Sequence, residues 1–178
     1  MSRILKPDEL AEHLNNMRES YQNCSSQLGG PWPVKVVMTS GFYNPLGPHH
    51  INYLKDATKL GNIWVAVVNG DGAAKRKNGY SFMPEQDRAI IVASLKYVHF
   101  VTIWDDGGPY VDGAINLIKP NFFAKGGDRS TLESISMEER AACRKVGCKI
   151  VLGVGGKEKQ NSSTNILQEF IKQYGHSV

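Results

Sequence analysis

The sequence of 178 residues predicts an α/β fold, a three-layer sandwich around a parallel sheet of about five strands, with an accessory helix ahead of it. Three observations carry this expectation. Short apolar runs are continuous rather than alternating, as in strands buried on both faces. Between them stand segments of helical period. Strand and helix alternate along the chain, which right-handed crossovers turn into a parallel sheet.

The first helix is expected over 6–21. Pro7 suits a first helical position, Asp8 and Glu9 favour the positive end of the dipole, and Leu10, Leu14, Met17 and Tyr21 repeat with helical spacing. "NCSSQLGGPWP" then breaks it, so residues 1–33 read as a helix and linker and 34–178 as the main domain. Strands are expected at 34–39, 63–69, 99–104, 122–124 and 149–154, and helices at 48–60, 84–97, 110–118, 137–146 and 162–174. Ser136 with Glu139 three positions on reads as a capping box, and Pro84 sits at a helix start. Gly61 and Gly147 end two helices. Trp64 and Trp104 fall in or beside strands and read as core.

Composition narrows the function classes. With 41 % apolar and 21 % charged residues, the chain matches a soluble globular protein. A net charge of +4 and a pI near 8.9 suit the handling of small anions. Nucleic-acid binding needs clustered charge, and "KRK" at Lys75 to Lys77 is too short to supply it. The 3 cysteines, Cys24, Cys143 and Cys148, lack a C-x-x-C pair, which predicts reduced thiols in the cytoplasm and no metal site. "MSRILKPDEL" does not read as a signal peptide, and no apolar run approaches a membrane span.

One stretch is unlike an ordinary connection. "GFYNPLGPHH", residues 41–50, lies between the first strand of the main domain and its helix, where ligands bind such sheets. Gly41 and Gly47 allow close backbone approach, and Pro48 places His49 and His50 in a first helical turn, beside a positive dipole end. Neither G-x-x-x-x-G-K-[ST] nor G-x-G-x-x-G occurs: "GVGGKE" ends in Glu158.

The stretch resembles the signature of the nucleotidyltransferase (cytidylyltransferase-like) superfamily, G-x-F-[DN]-x-x-H-x-G-H, through Gly41, Tyr43, Asn44 and His50. "SFMPEQDRAIIVASLKYV", "FAKGGDRS" and "KQNSSTNIL" are similar to three further segments of that family, in the same order. The likeness covers residues 34–171 and is nearest to heptose-phosphate adenylyltransferase domains and glycerol-3-phosphate cytidylyltransferases. It implies a Rossmann-like sandwich. It also implies transfer of CMP or AMP from a nucleoside triphosphate to a small sugar or polyol phosphate, with Mg²⁺ carried by the substrate phosphates. Where the family has H-x-G-H this chain has Gly47-Pro48-His49-His50, so only His50 carries over cleanly.

The resemblance implies these roles. His50 donates to the α-phosphate or bridging oxygen, or else merely caps its helix. Gly41, Phe42, Tyr43 and His49 line the nucleotide. Ser162, Ser163 and Thr164 take the β- and γ-phosphates, with Lys157 and Lys159 just before them. Gly126, Gly127 and Asp128 approach the ribose, and Lys125 adds a phosphate contact. Lys77 meets the acceptor phosphate and acts in catalysis. Arg88 either reaches the same pocket or pairs with Glu85 along its helix. Many relatives are homodimers, so a homodimer is expected. The competing expectation is a nucleotide-binding module of weakened catalysis that serves regulation or assembly, motivated by Gly47.

Overall fold

Val36 and Met38 point to one side of the sheet and Val37 to the other, and all three are fully buried. That alternation places an apolar core on each face of a strand and requires helices on both. The computed structural model describes residues 3–28, 33–127, 129–156 and 163–174. In chain order its main elements are β1 (Arg3–Ile4), α1 (Pro7–Leu28), β2 (Val36–Gly41), α2 (Pro48–Ala57), β3 (Ile63–Asn69), α3 (Asp71–Asn78), α4 (Glu85–Ala93), β4 (Phe100–Trp104), α5 (Asp112–Ile118), β5 (Phe122–Gly126), α6 (Met137–Val146), β6 (Lys149–Val154) and α7 (Ser163–Tyr174). The sheet is parallel, in the order β1-β4-β3-β2-β5-β6.

One core packs Leu10 and Leu14 of α1, Ile115 and Ile118 of α5 and Ala142 and Cys143 of α6 against Val36, Met38, Val65, Val67 and Phe123. The other packs Tyr53, Leu54 and Ala57 of α2 and Ala89 and Val92 of α4 against Val37, Ala66, Val68, Val101 and Ala124. This is the expected three-layer sandwich, with a sixth strand added. β1 is two residues long and pairs through its backbone, Arg3 N–H to His99 C=O and Leu5 N–H to Val101 C=O, both at 3.0 Å. So short an element leaves no apolar pattern to read.

Other boundaries moved for local reasons. α1 continues to Leu28, because Asn23, Ser25 and Ser26 are weak helix formers but not breakers. α2 stops at Ala57 and tightens into a 3-10 turn, Thr58–Leu60. α4 stops at Ala93, where the Ser94 hydroxyl donates to Ile90 C=O at 2.8 Å beside the backbone bond to the same carbonyl. Gly147 ends α6 at φ 71°, as expected of a left-handed cap. Gly61 is extended instead, and its constraint is space: a Cβ there would fall 2.4 Å from Lys35 C=O.

α3 is the element that the sequence conceals. "DGAAKRKN" has a short apolar face and reads as a solvated loop. Its start is fixed from outside: the Asp71 N–H donates to the Glu85 carboxylate at 2.7 Å, and the Glu85 N–H returns to the Asp71 carboxylate at 3.2 Å. Each acid thereby serves the amino end of the other's helix. No helix among the described residues is long and apolar enough to cross a membrane.

Candidate active site

β2 and β5 are neighbours whose onward connections leave in opposite directions, the arrangement that opens a crevice at their carboxyl ends. Their register runs through Val37–Phe122 and Met38–Phe123. Beyond it Tyr53 of α2 bridges the strands, its hydroxyl donating to Ala124 C=O at 2.6 Å and accepting from Ser40 N–H at 3.4 Å. Above this bridge lies a cavity of about 680 Å³.

The Gly41–His50 stretch forms its centre. Tyr43 takes a positive φ of 51° and lies 1 % exposed with its ring over Gly41, where a Cβ would stand 3.0 Å from the tyrosine Cζ. The Tyr43 ring thus leaves little room for a side chain at Gly41, which also lines the cavity. Burial pushes the Tyr43 phenol well above its usual range, so it stays protonated. Asn44 Oδ1 accepts the Met83 N–H at 2.9 Å and ties the stretch to the entry of α4.

His50 has two tasks. The Gly47 N–H donates to His50 Nδ1 at 3.0 Å, and the His50 N–H donates to Gly47 C=O at 2.9 Å, closing the first turn of α2. An imidazole that accepts at Nδ1 can carry its proton on Nε2 and so still act as a donor. The capping role and the phosphate role are therefore compatible. These two N–H groups are satisfied inside the turn. The His49 ring lies 3.8 Å from that of His50 between centroids. A side chain at position 47 would begin 3.0 Å from His49 Cε1, so His49 already borders the space where the family signature has its first histidine.

On the β5–β6 side, Lys125, Gly126 and Gly127 line the cavity as expected. Lys125 Nζ lies 3.0 Å from Glu139 Oε1, 3.4 Å from Ser40 Oγ and 4.3 Å from the Phe123 ring centre. Burial pulls the Lys125 ammonium below its ordinary value, and the Glu139 charge partly restores it. Ser136 Oγ does accept the Glu139 N–H at 3.1 Å, but the Glu139 carboxylate turns to Lys125 rather than back to Ser136. Half of the expected capping box is given over to the cavity. Arg129 also lines it, its guanidinium donating to Ser134 C=O and its own carbonyl accepting the Gly153 N–H at 3.2 Å. Gly155, at φ 88°, approaches so closely to α2 that a Cβ would fall 2.7 Å from Tyr53 Cα.

On the β3–β4 side, Phe42 and Lys77 line the cavity, with Lys77 Nζ 5.0 Å from the Phe42 ring centre. Arg76 joins them, held by Asp105 at 2.7 Å and Gly108 C=O at 3.1 Å. Asn69, Tyr80 and Tyr110 complete this wall. Asn69, Arg76, Tyr80, Tyr110, Arg129 and Glu139 are absent from the sequence-based set. A polar Asn closing an otherwise apolar strand and an Arg directly after "GGD" are the signals that point to two of them.

Arg88 departs from expectation. It is fully buried and does not line the cavity, so it is not placed to meet an acceptor phosphate. Its guanidinium donates to Phe42 C=O at 2.6 Å, Asn69 C=O at 2.7 Å, Met83 C=O at 2.9 Å and Asp71 Oδ1 at 2.6 Å. Nor is Glu85 its partner. Burial works to raise the Asp71 carboxyl, but bonds from Ser81 and Arg88 outweigh it and hold the group below its ordinary value. Arg88 is a positioning residue that pins the ends of β2 and β3 from beneath. Ser163 and Thr164 open α7, while Asp128, Lys157, Lys159 and Ser162 lie outside the described residues.

A family model described as cytidylyltransferase-like matches residues 38–169, most of the sheet and the whole described cavity wall. The chain belongs to the cytidylyltransferase-like family of nucleotidyltransferases. The bifunctional protein HldE of Pelobacter propionicus is 32 % identical over 142 residues, covering 79 % of this chain and 28 % of that protein. HldE of a Nitratiruptor species is 34 % identical over 106 residues, with coverage of 58 % and 22 %. The cytidylyltransferase-like chain thus spans about a quarter of the length of these curated relatives. The solved lipopolysaccharide core biosynthesis protein from Thermoplasma volcanium matches with a TM-score of 0.56 and 26 % identity, over 66 % of this chain and 93 % of that one. A pantoate-beta-alanine ligase from Francisella tularensis, at 14 % identity and a TM-score of 0.56, covers 94 % of this chain and 73 % of its own, and shows the fold alone.

Proposed function

We propose that this chain transfers CMP or AMP from a nucleoside triphosphate to a small sugar or polyol phosphate and releases pyrophosphate. The observation that carries the reading is the setting of His50. Its Nδ1 accepts the Gly47 N–H, and the residue lines a cavity with Lys77 and Arg76 on one side and Lys125 and Arg129 on the other. Such a site suits two phosphorylated substrates meeting end to end.

An oxygen of the acceptor phosphate attacks the α-phosphorus in line, the new P–O bond forming as the bond to pyrophosphate breaks. The attacking oxygen is already ionised near neutral pH, so no general base is needed. Catalysis is positioning and charge stabilisation. His50 donates to the oxygen on which negative charge grows, and His49 adds a second imidazole beside it. Gly126 and Gly127 admit the nucleotide along β5, and Lys77 binds the acceptor phosphate. Mg²⁺ carried by the triphosphate would supply charge neutralisation at its phosphates.

The test is a matrix of four triphosphates against phosphorylated sugars and polyols, read by pyrophosphate formation. Acceptor-dependent release with ATP or CTP is expected. Binding of nucleotide by calorimetry with no release from any pair would overturn the reading in favour of a regulatory binding module. Sedimentation of the full chain tests the expected homodimer.

A further inference from the structure

The strand β3 reads "IWVAVVN", six apolar residues and then an amide at the cavity wall. Asn69 is 8 % exposed, and its Oδ1 has no hydrogen-bond partner among the described residues. Buried polar atoms are satisfied as a rule, so an orphan in a cavity wall points to a missing ligand. The side chain is not needed to hold the backbone here. Asn69 C=O accepts from Arg88 at 2.7 Å, and the next residue, Gly70, donates its N–H to Trp104 C=O at 2.8 Å. A leucine or valine would continue the strand without the cost of an unpaired amide.

We propose that Asn69 recognises a hydroxyl group of the acceptor, making this wall a sugar-phosphate subsite and not a phosphate subsite alone. Rotation about the Cβ–Cγ bond exchanges the amide oxygen and nitrogen, so Asn69 can accept from a hydroxyl or donate to it, and a hydroxyl does both. The surroundings match a hydroxylated carbon skeleton that carries a phosphate. Tyr80 and Tyr110 line the same wall at 43 % and 40 % exposure and offer flat apolar faces with polar tips. Arg76 and Lys77, one helical turn or less from Tyr80 in sequence, supply the positive charge. Asp105 fixes this corner, since its carboxylate accepts from both the Arg76 guanidinium at 2.7 Å and the Gly72 N–H at 2.6 Å. The identity of the ligand as acceptor rests on the transferase reading, but the hydroxyl contact does not.

Calorimetry on the full chain separates the two. The probes are the 1-phosphates of glucose, mannose and galactose, glycerol 3-phosphate, inorganic phosphate as the fragment without hydroxyl-bearing carbons, and ATP and CTP. Asn69→Leu is expected to weaken the best-bound polyhydroxy phosphate about tenfold, leaving inorganic phosphate and both nucleotides unchanged. Asn69→Ser, which puts a shorter hydroxyl in place of the amide, gives an intermediate loss and replaces the leucine variant should that one fail to fold. Equal losses for every probe, no loss for any, or a wild type that binds no polyhydroxy phosphate more tightly than inorganic phosphate would each overturn the proposal. If wild-type protein releases no pyrophosphate yet shows the Asn69-dependent binding, the transferase reading falls and the hydroxyl contact stands.

Discussion

Arg88, fully buried on α4, and Lys125, partly buried in β5, are cations near the same strand ends, yet their surroundings differ. Arg88 gives four of its five N–H donors to three carbonyls and Asp71 and is fully buried, away from any substrate. Lys125 has one carboxylate, Glu139, and a serine hydroxyl at the edge of bonding distance, and it faces the cavity. A buried charge surrounded by backbone acceptors is architecture. A partly buried charge with one carboxylate partner in a cavity wall is the arrangement from which a substrate contact is expected. Sequence alone ranks the two alike, because backbone carbonyls carry no residue-type signal.

The contrast makes its largest demand on Arg88. Arg88→Met is expected to destabilise the fold by about 2–4 kcal/mol, since it removes the guanidinium partner of Asp71 and the donor to the Phe42, Asn69 and Met83 carbonyls. Urea unfolding measures this, and a cost below about 1 kcal/mol would remove Arg88 from its architectural role. Lys125→Met leaves Glu139 unpaired and is expected to cost about 1–3 kcal/mol. The double variant Lys125→Met with Glu139→Met regains that stability, while pyrophosphate release stays depressed by on the order of a hundredfold. If turnover returned along with stability, Lys125 would be architecture as well.

Smaller effects sharpen the same division. Ser136→Ala removes the side-chain acceptor for the Glu139 N–H at the start of α6 and is expected to cost about 1 kcal/mol in thermal or urea unfolding. Asp71 and Asp105 are both held below their ordinary value of 3.8 in the fold. Below that value the unfolded chain binds more protons than the native one, so the stability these groups contribute is complete above pH 3.8 and is lost as pH falls through their folded values. Asp105→Asn should flatten that acid limb in a pH series of unfolding free energies, without altering the slope above pH 5 or so.

The layered sheet was legible because burial on both faces writes long apolar runs. β3, β6 and α6 begin and end where pattern, caps and Gly147 place them. β1 and α3 were not legible, one because two backbone-paired residues leave no period, the other because its start depends on Glu85, fourteen positions away. Of the site, the Gly41–His50 stretch and the Lys125–Gly127 segment are readable as motifs whose glycines and histidines have few other uses. Asn69, Arg76 and Glu139 are not, since their significance comes from the convergence of strand ends in space. Arg88 shows the converse, a motif residue whose chemistry is spent beneath the site.

The central claim is that His50 caps its helix through Nδ1 in order to present Nε2–H to a phosphate oxygen. His50→Asn tests it most directly, because the asparagine carbonyl can replace Nδ1 as acceptor for the Gly47 N–H but offers no donor at the reach of Nε2. The expected result is a melting temperature and nucleotide affinity close to wild type, with acceptor-dependent pyrophosphate release reduced on the order of a hundredfold to a thousandfold. Release at the wild-type rate from this variant would contradict the account.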